Sequence, residues 1–121
     1  MKKQTVSILG TEYTIETHKI SEDETMKNNQ WCGYCDEEQN LIVVADMTEK
    51  EFVDIHSEEA QEKFRRRTLR HEIVHAFLNE SGLSDSASAP TCAWAKHEEM
   101  VDWFAIQSTK IFKVFQKLDI L

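Results

Sequence analysis

Apolar and polar residues alternate at the start of the chain, with Val6 and Ile8 before Gly10-Thr11 and Tyr13 and Ile15 after it. That pattern predicts two half-buried strands joined by a Gly-X turn, a β-hairpin. Ser21 to Gln30 is polar and charged. Trp31 to Asp36 then reads as a strand, Glu37-Glu38-Gln39-Asn40 as a turn, and Leu41-Ile42-Val43-Val44-Ala45 as the strongest strand of the chain.

Beyond residue 46 the period changes to that of helices. Thr48 with Glu51 fits a capping box and Met47 with Phe52 a hydrophobic staple, so a short helix is expected there. Ser57 is placed to cap a longer helix running to about Ser81, and Gly82 to end it in a left-handed conformation. On that helix Leu69, Ile73, Ala76 and Phe77 share one arc of about 100°, and His71 and His75 lie within about 40° of each other roughly opposite. Ser84 to Pro90 reads as a loop. Lys96 to Leu118 reads as a final helix with Val101, Phe104, Ala105, Ile111, Phe112 and Phe115 as its apolar arc. Strands first and helices after, with no repeat or linker, predict a single α+β domain over residues 1–121.

Size and charge narrow the function classes. A chain of 121 residues supports one core and not two. The net charge of −8 opposes attraction to nucleic acid, and the one basic run, Arg65-Arg66-Arg67 with Arg70, sits among acids as a solvated face or in local ion pairs. No run approaches the roughly 20 apolar residues that cross a bilayer, and Met1 to Val6 has no signal-peptide core, so no membrane partner and a cytoplasmic location are expected. Three cysteines, Cys32, Cys35 and Cys92, are too few for a disulfide framework.

His71-Glu72-Ile73-Val74-His75 is an HExxH sequence. Residues four apart on a helix stack one turn above another, so the two imidazoles can share one ion. Zinc takes neutral histidine nitrogens and, in catalytic sites, three protein ligands with one position left for water. Glu72 can then act as general base and later as general acid. The third ligand is expected from His97-Glu98-Glu99-Met100-Val101-Asp102. On the helical wheel Glu98 falls beside Ala105 and Phe112 at the margin of the apolar arc, Asp102 about 40° away one turn later, and Glu99 about 100° off toward solvent. Glu98 is therefore the candidate ligand, one zinc ion per chain the expected cofactor, and Asp102 the carboxylate that orients His71 or His75.

With these residues the chain resembles the gluzincins, in which HExxH is followed on a later helix by Glu-x-x-x-Asp. More narrowly, Thr68-Leu69-Arg70-His71-Glu72-Ile73-Val74-His75-Ala76 with Glu98-x-x-x-Asp102-x-Phe104-Ala105 looks like the small ImmA/IrrE-type metallopeptidases common in phages and mobile elements. The resemblance covers about residues 40 to 110. It implies a zinc peptidase with a short twisted sheet, antiparallel or mixed and of three to four strands, packed on an active-site helix and a ligand-bearing helix, acting on a peptide or protein substrate and sometimes on a transcriptional repressor.

Other signals are weaker. Cys32-Gly33-Tyr34-Cys35 supplies half a tetrahedral site and is read as a strand or turn position. His97 and Tyr34 are candidates to hold an oxyanion. His18 and His56 are read as surface residues, and Trp31, Trp94 and Trp103 as core or lid packing. An extended peptide is expected along an exposed edge of the strand Leu41 to Ala45. The alternative to an endopeptidase is a non-catalytic regulatory or antirepressor-like protein that keeps a structural zinc on the same scaffold.

Overall fold

The structure, a computed structural model, describes residues 3–53, 57–82 and 97–121. It is α+β, with a four-stranded mixed sheet at the N-terminal end packed on helices. Strands β1 (Lys3–Ile8) and β2 (Thr11–His18) form the expected antiparallel hairpin. Its turn falls one residue earlier than the Gly10-Thr11 reading. Ile8 pairs with Thr11, leaving Leu9 and Gly10 as the two central residues, both with positive φ, 50° and 90°. A primed two-residue turn needs that conformation because its twist matches the strands. Leu9 tolerates it while exposed, which is why the leucine gave no turn signal.

The stretch from Ser21 to Gln30 is ordered. A 3-10 turn at Ile20–Glu22 leads into helix α1 (Glu24–Asn29), which Asp23 caps by accepting from the Met26 amide at 3.0 Å. One apolar residue, Met26, is fully buried there, and a single anchor produces no periodicity to read. Gln30 turns left-handed at φ 58°, and the chain enters β3 (Gly33–Asp36), shorter than the expected Trp31 to Asp36. The turn then delivers β4 (Leu41–Ala45).

The sheet order is β1-β2-β4-β3, with β4 parallel to β2 and antiparallel to β3. β4 is therefore interior, buried from Ile42 to Ala45, and offers no edge to a peptide. Its neighbour β3 is the edge strand on that side. The core joins Ile8, Tyr13, Ile15, Met26, the β4 residues, Met47, Phe52 and Ala76, with Phe64, Leu69 and Ile73 packed against it.

Helix α2 (Lys50–Val53) is present, and the Glu51 side chain of the expected capping box lies outside the described residues. The Thr48 amide and hydroxyl both donate to Asp46, and Glu49 accepts from the Ile20 amide at 2.6 Å. Helix α3 (Glu58–Glu80) has the predicted ends: Ser57 accepts from the Ala60 amide, and Gly82 has φ 84°. Its C-terminal turn is tied to β2, where the buried Tyr13 hydroxyl and the Thr11 hydroxyl each donate to Glu80 at 2.8 Å. The buried stripe passes through Gln61, Glu72 and Ala76. Phe77, about 140° round the helix from Glu72, is consequently exposed and not in the core arc.

Helix α4 (Glu98–Lys117) meets the rest of the fold through Val101 and Ala105, both fully buried. Phe104, Phe112 and Phe115 were expected inside and are more than a third exposed; Phe112 and Phe115 lie in the C-terminal half of α4, beyond the turns that bury Val101 and Ala105. Trp31 and Trp103 are likewise half-exposed. His56, Cys92, Trp94 and the Ser84 to Pro90 loop lie outside the described residues. Among the described residues no helix is long and apolar enough to cross a membrane.

His18 is no surface residue. Its Nδ1 is 2.6 Å from Asp23 and its Nε2 2.8 Å from Glu16, and Tyr34 donates its hydroxyl to the same Asp23 oxygen at 2.9 Å. Burial opposes the imidazolium, but hydrogen bonds to Asp23 and Glu16 outweigh it and raise the pKa above 6.5. Burial likewise opposes the Asp23 carboxylate, and the hydrogen bonds from His18, the Met26 amide and Tyr34 bring its pKa below 3.8. A raised histidine pKa stabilises the fold fully below the unfolded value and loses that contribution as pH climbs through the folded value. Unfolding free energy measured in urea should therefore decline as pH rises from 6.5 through the raised value. His18→Gln should reduce that decline, leaving the part that the raised Glu72 carboxyl contributes up to about pH 7; a variant with an undiminished slope would contradict the assignment.

Candidate metal centre

Two side chains one helical turn apart begin the site. On α3, His71 and His75 project from the same face with ring centroids 4.9 Å apart. Glu72 sits on the side of the helix turned toward the sheet and is 7% exposed. His71, Glu72 and His75 offer ligand atoms that all lie within 4.8 Å of one another, a group able to hold a metal ion.

α4 supplies the remaining groups. The Arg70 guanidinium donates to the Ala105 carbonyl, and Val101 and Ala105 are buried beside it, so the first turns of α4 lie along α3. Glu98 and Asp102, one turn apart on α4, therefore both face His71. Glu98 places one carboxylate oxygen 3.0 Å from His71 Nε2 and the other 3.0 Å from His75 Nε2. Asp102 lies 2.6 Å from His71 Nδ1. Of the two histidines it is His71 that Asp102 orients. Glu99 is exposed and makes no contact with the site among the described residues.

This donor set fits a small divalent cation. Ligands about 2.05 Å from a tetrahedral ion stand about 3.3 Å from one another, and the nitrogen-to-oxygen separations of 3.0 Å at Glu98 are close to that edge. An imidazole that gives its Nδ1 proton to Asp102 presents Nε2 as a lone-pair donor, the tautomer a metal requires. Both histidines are largely buried, while Glu98 and Asp102 are 65% and 57% exposed, so the centre opens on the α4 side.

Electrostatics single out Glu72. Desolvation by burial is the largest effect on it; the charge of His71 opposes, and Glu98 and Asp102 add to it, pushing its pKa up to about 7. A carboxyl poised there can take or give a proton near neutral pH. A dication bound beside it would pull that value down again.

The centre forms the floor of a cleft of about 810 Å³ walled by α3, α4 and β3. β3 contributes through its backbone. Because the Ala45 amide bonds the Cys32 carbonyl, the antiparallel alternation turns the backbone groups of Gly33 and Cys35 away from β4, along the cleft edge. Cys32 and Cys35 also line it, and they form no disulfide. Two residues considered for an oxyanion role are committed elsewhere. Tyr34 donates to Asp23, with burial and that hydrogen bond raising its pKa to about 12. His97 Nδ1 accepts from the Met100 amide as the cap of α4.

Gly33 is a site residue that composition and motif reading passed over. A Cβ there would stand 2.9 Å from Thr68 Cγ2, 3.0 Å from the Val43 carbonyl oxygen and 3.5 Å from Glu72 Cγ. Only a glycine lets β3 run this close beneath α3. An isolated glycine in a strand pattern is the available signal for such an approach.

Compared with protein families, curated proteins and solved structures, the chain matches none.

Gly33→Ala should cost about 1–3 kcal/mol of stability in urea unfolding, the range for overpacking a filled contact, because both near atoms belong to the α3–sheet contact. A loss under about 0.5 kcal/mol would mean that β3 and α3 separate without cost and that Gly33 does not set the position of Glu72.

Proposed function

We propose that the protein is a zinc-dependent endopeptidase in which His71, His75 and Glu98 hold the metal and Glu72 moves the proton. The observation that carries this reading is the Glu98 carboxylate set between the two Nε2 atoms, with Glu72 buried alongside and Asp102 behind His71. Nitrogen and carboxylate donors without thiolate, in an open cleft, suit catalytic zinc better than a closed structural site. Zinc bound there supplies a Lewis acid that activates water and polarises a peptide carbonyl.

The chain's own residues do the rest. Glu72 accepts a proton from the attacking water at a carboxylate oxygen and returns it to the departing amine nitrogen. Asp102 keeps His71 in its tautomer and ring orientation. The outward backbone groups of Gly33 and Cys35 pair with an extended peptide laid along β3, the edge strand, and so align its carbonyl with the centre.

Metal content by elemental analysis, read beside cleavage of a mixed-sequence peptide pool, tests this. About one zinc per chain is expected in the wild type and in Glu72→Gln, and little in His71→Ala. Cleavage should fall by about 10²–10⁴-fold in Glu72→Gln. Equal zinc in His71→Ala would overturn the site. Zinc-loaded wild type that cleaves nothing would favour a regulatory protein with a structural metal.

A further inference from the structure

The arginine run on α3 divides into groups already engaged and one that is not. Arg65 makes two hydrogen bonds to Glu62 at 2.9 and 2.7 Å, and Arg66 a third at 3.1 Å. Arg70 is spent on the Ala105 carbonyl. Arg67 differs: its guanidinium lies over the Phe64 ring, 5.3 Å from the centroid, and among the described residues it has no carboxylate partner.

Arg67 also lies in the wall of the cleft, whose described lining includes Phe64, Trp31 and Ile106. The other charged groups lining that cleft are the carboxylates Glu72, Glu98 and Asp102. Arg67, His71 and His75 form one row on α3, four residues apart at each step, so Arg67 is about 6 Å along the axis from His71. An extended peptide advances about 3.3 Å per residue. With the guanidinium over Phe64, it lies about 6 to 10 Å from the level of His71, so a peptide running along α3 would bring to it a residue one to three positions from the bond held at the histidines.

A guanidinium binds a carboxylate through two parallel N–H donors, and stacking on an aromatic face fixes its plane in advance. Phe64 performs that stacking here, and the half-exposed Trp31 lines the same cleft. We propose that Arg67, stacked on Phe64 in the cleft wall, is a specificity subsite that takes a carboxylate of the bound peptide one to three residues from the scissile bond. The carboxylate is an Asp or Glu side chain or the peptide's own C-terminus. This subsite rests on the peptide-binding reading above and determines which peptides are accepted, not the chemistry of cleavage.

The test measures binding apart from turnover. Zinc-loaded Glu72→Gln protein is titrated calorimetrically with alanine-based octapeptide amides carrying one Asp stepped through each position, their Asn counterparts, and the Asn peptides with a free C-terminus. At one position the Asp peptide should bind about tenfold tighter than its Asn counterpart. Preference for the free C-terminus over the amide would instead name the terminal carboxylate as the source. Added to that background, Arg67→Glu should reverse the order and favour Lys peptides, while Arg67→Lys should keep part of the preference. In the wild type, Arg67→Ala should raise KM for the preferred peptide with kcat little changed. Equal affinity for Asp, Asn and free-carboxylate peptides, including no measurable binding of any, overturns the subsite. So does an order that Arg67→Glu leaves unchanged. Carboxylate-selective binding without cleavage by the wild type would sink the peptidase reading and leave the subsite standing.

Discussion

α4 reaches the histidines of α3 because its first turns are held along that helix, by the Arg70 guanidinium on the Ala105 carbonyl and by the burial of Val101 and Ala105. Every feature of the centre that involves two helices depends on this contact. It sets Glu98 between the two Nε2 atoms and Asp102 at His71 Nδ1. Without it, α4 would carry its carboxylates as ordinary exposed acids, and α3 would present its two histidines with only the buried Glu72 beside them. The contact is local. Farther along, Phe112 is half-exposed and Phe115 more than a third exposed, so among the described residues α4 is most deeply packed where it serves the centre.

A second constraint acts from beneath. α3 lies on β3 so closely that a single added carbon at Gly33 would meet Thr68 and the Val43 carbonyl. That proximity turns Glu72 inward, and burial then raises its pKa to about 7. The two histidines, one step round the helix, remain on the open side. One helix thus carries a buried carboxyl turned to the sheet and two largely buried imidazoles turned to Glu98 and Asp102, adjacent in sequence and different in chemistry. Burying an ionisable group is costly unless a compensating charge is near. A cation between the histidines would supply it.

Much of this was legible in the residue pattern because its signals are periodic or local. The hairpin, β4, the cap at Ser57 and the end of α3 at Gly82 follow from spacing and turn chemistry, and the stacking of His71 on His75 follows from a four-residue step. Glu98 with Asp102 could be chosen over Glu99 by the same helical arithmetic. What escaped depends on tertiary contact. α1 hangs on one buried methionine and one capping aspartate, too few residues to show a period. His18 looked like a surface histidine because its partners, Glu16 and Asp23, are themselves acids that would pass for solvated. Strand order is not encoded by alternation, so β4 was read as an edge when it pairs on both sides. Gly33 and Arg67 matter only through what approaches them, the α3 side chains in one case and the cleft in the other.

The central claim is that His71, His75 and Glu98 converge on a single cation. Anomalous diffraction at the zinc absorption edge from crystals grown with zinc tests it directly. The account predicts one strong peak about 2.0–2.2 Å from Nε2 of both histidines and from a Glu98 oxygen. No peak between these residues, or the principal peak at Cys32 and Cys35 instead, would contradict it.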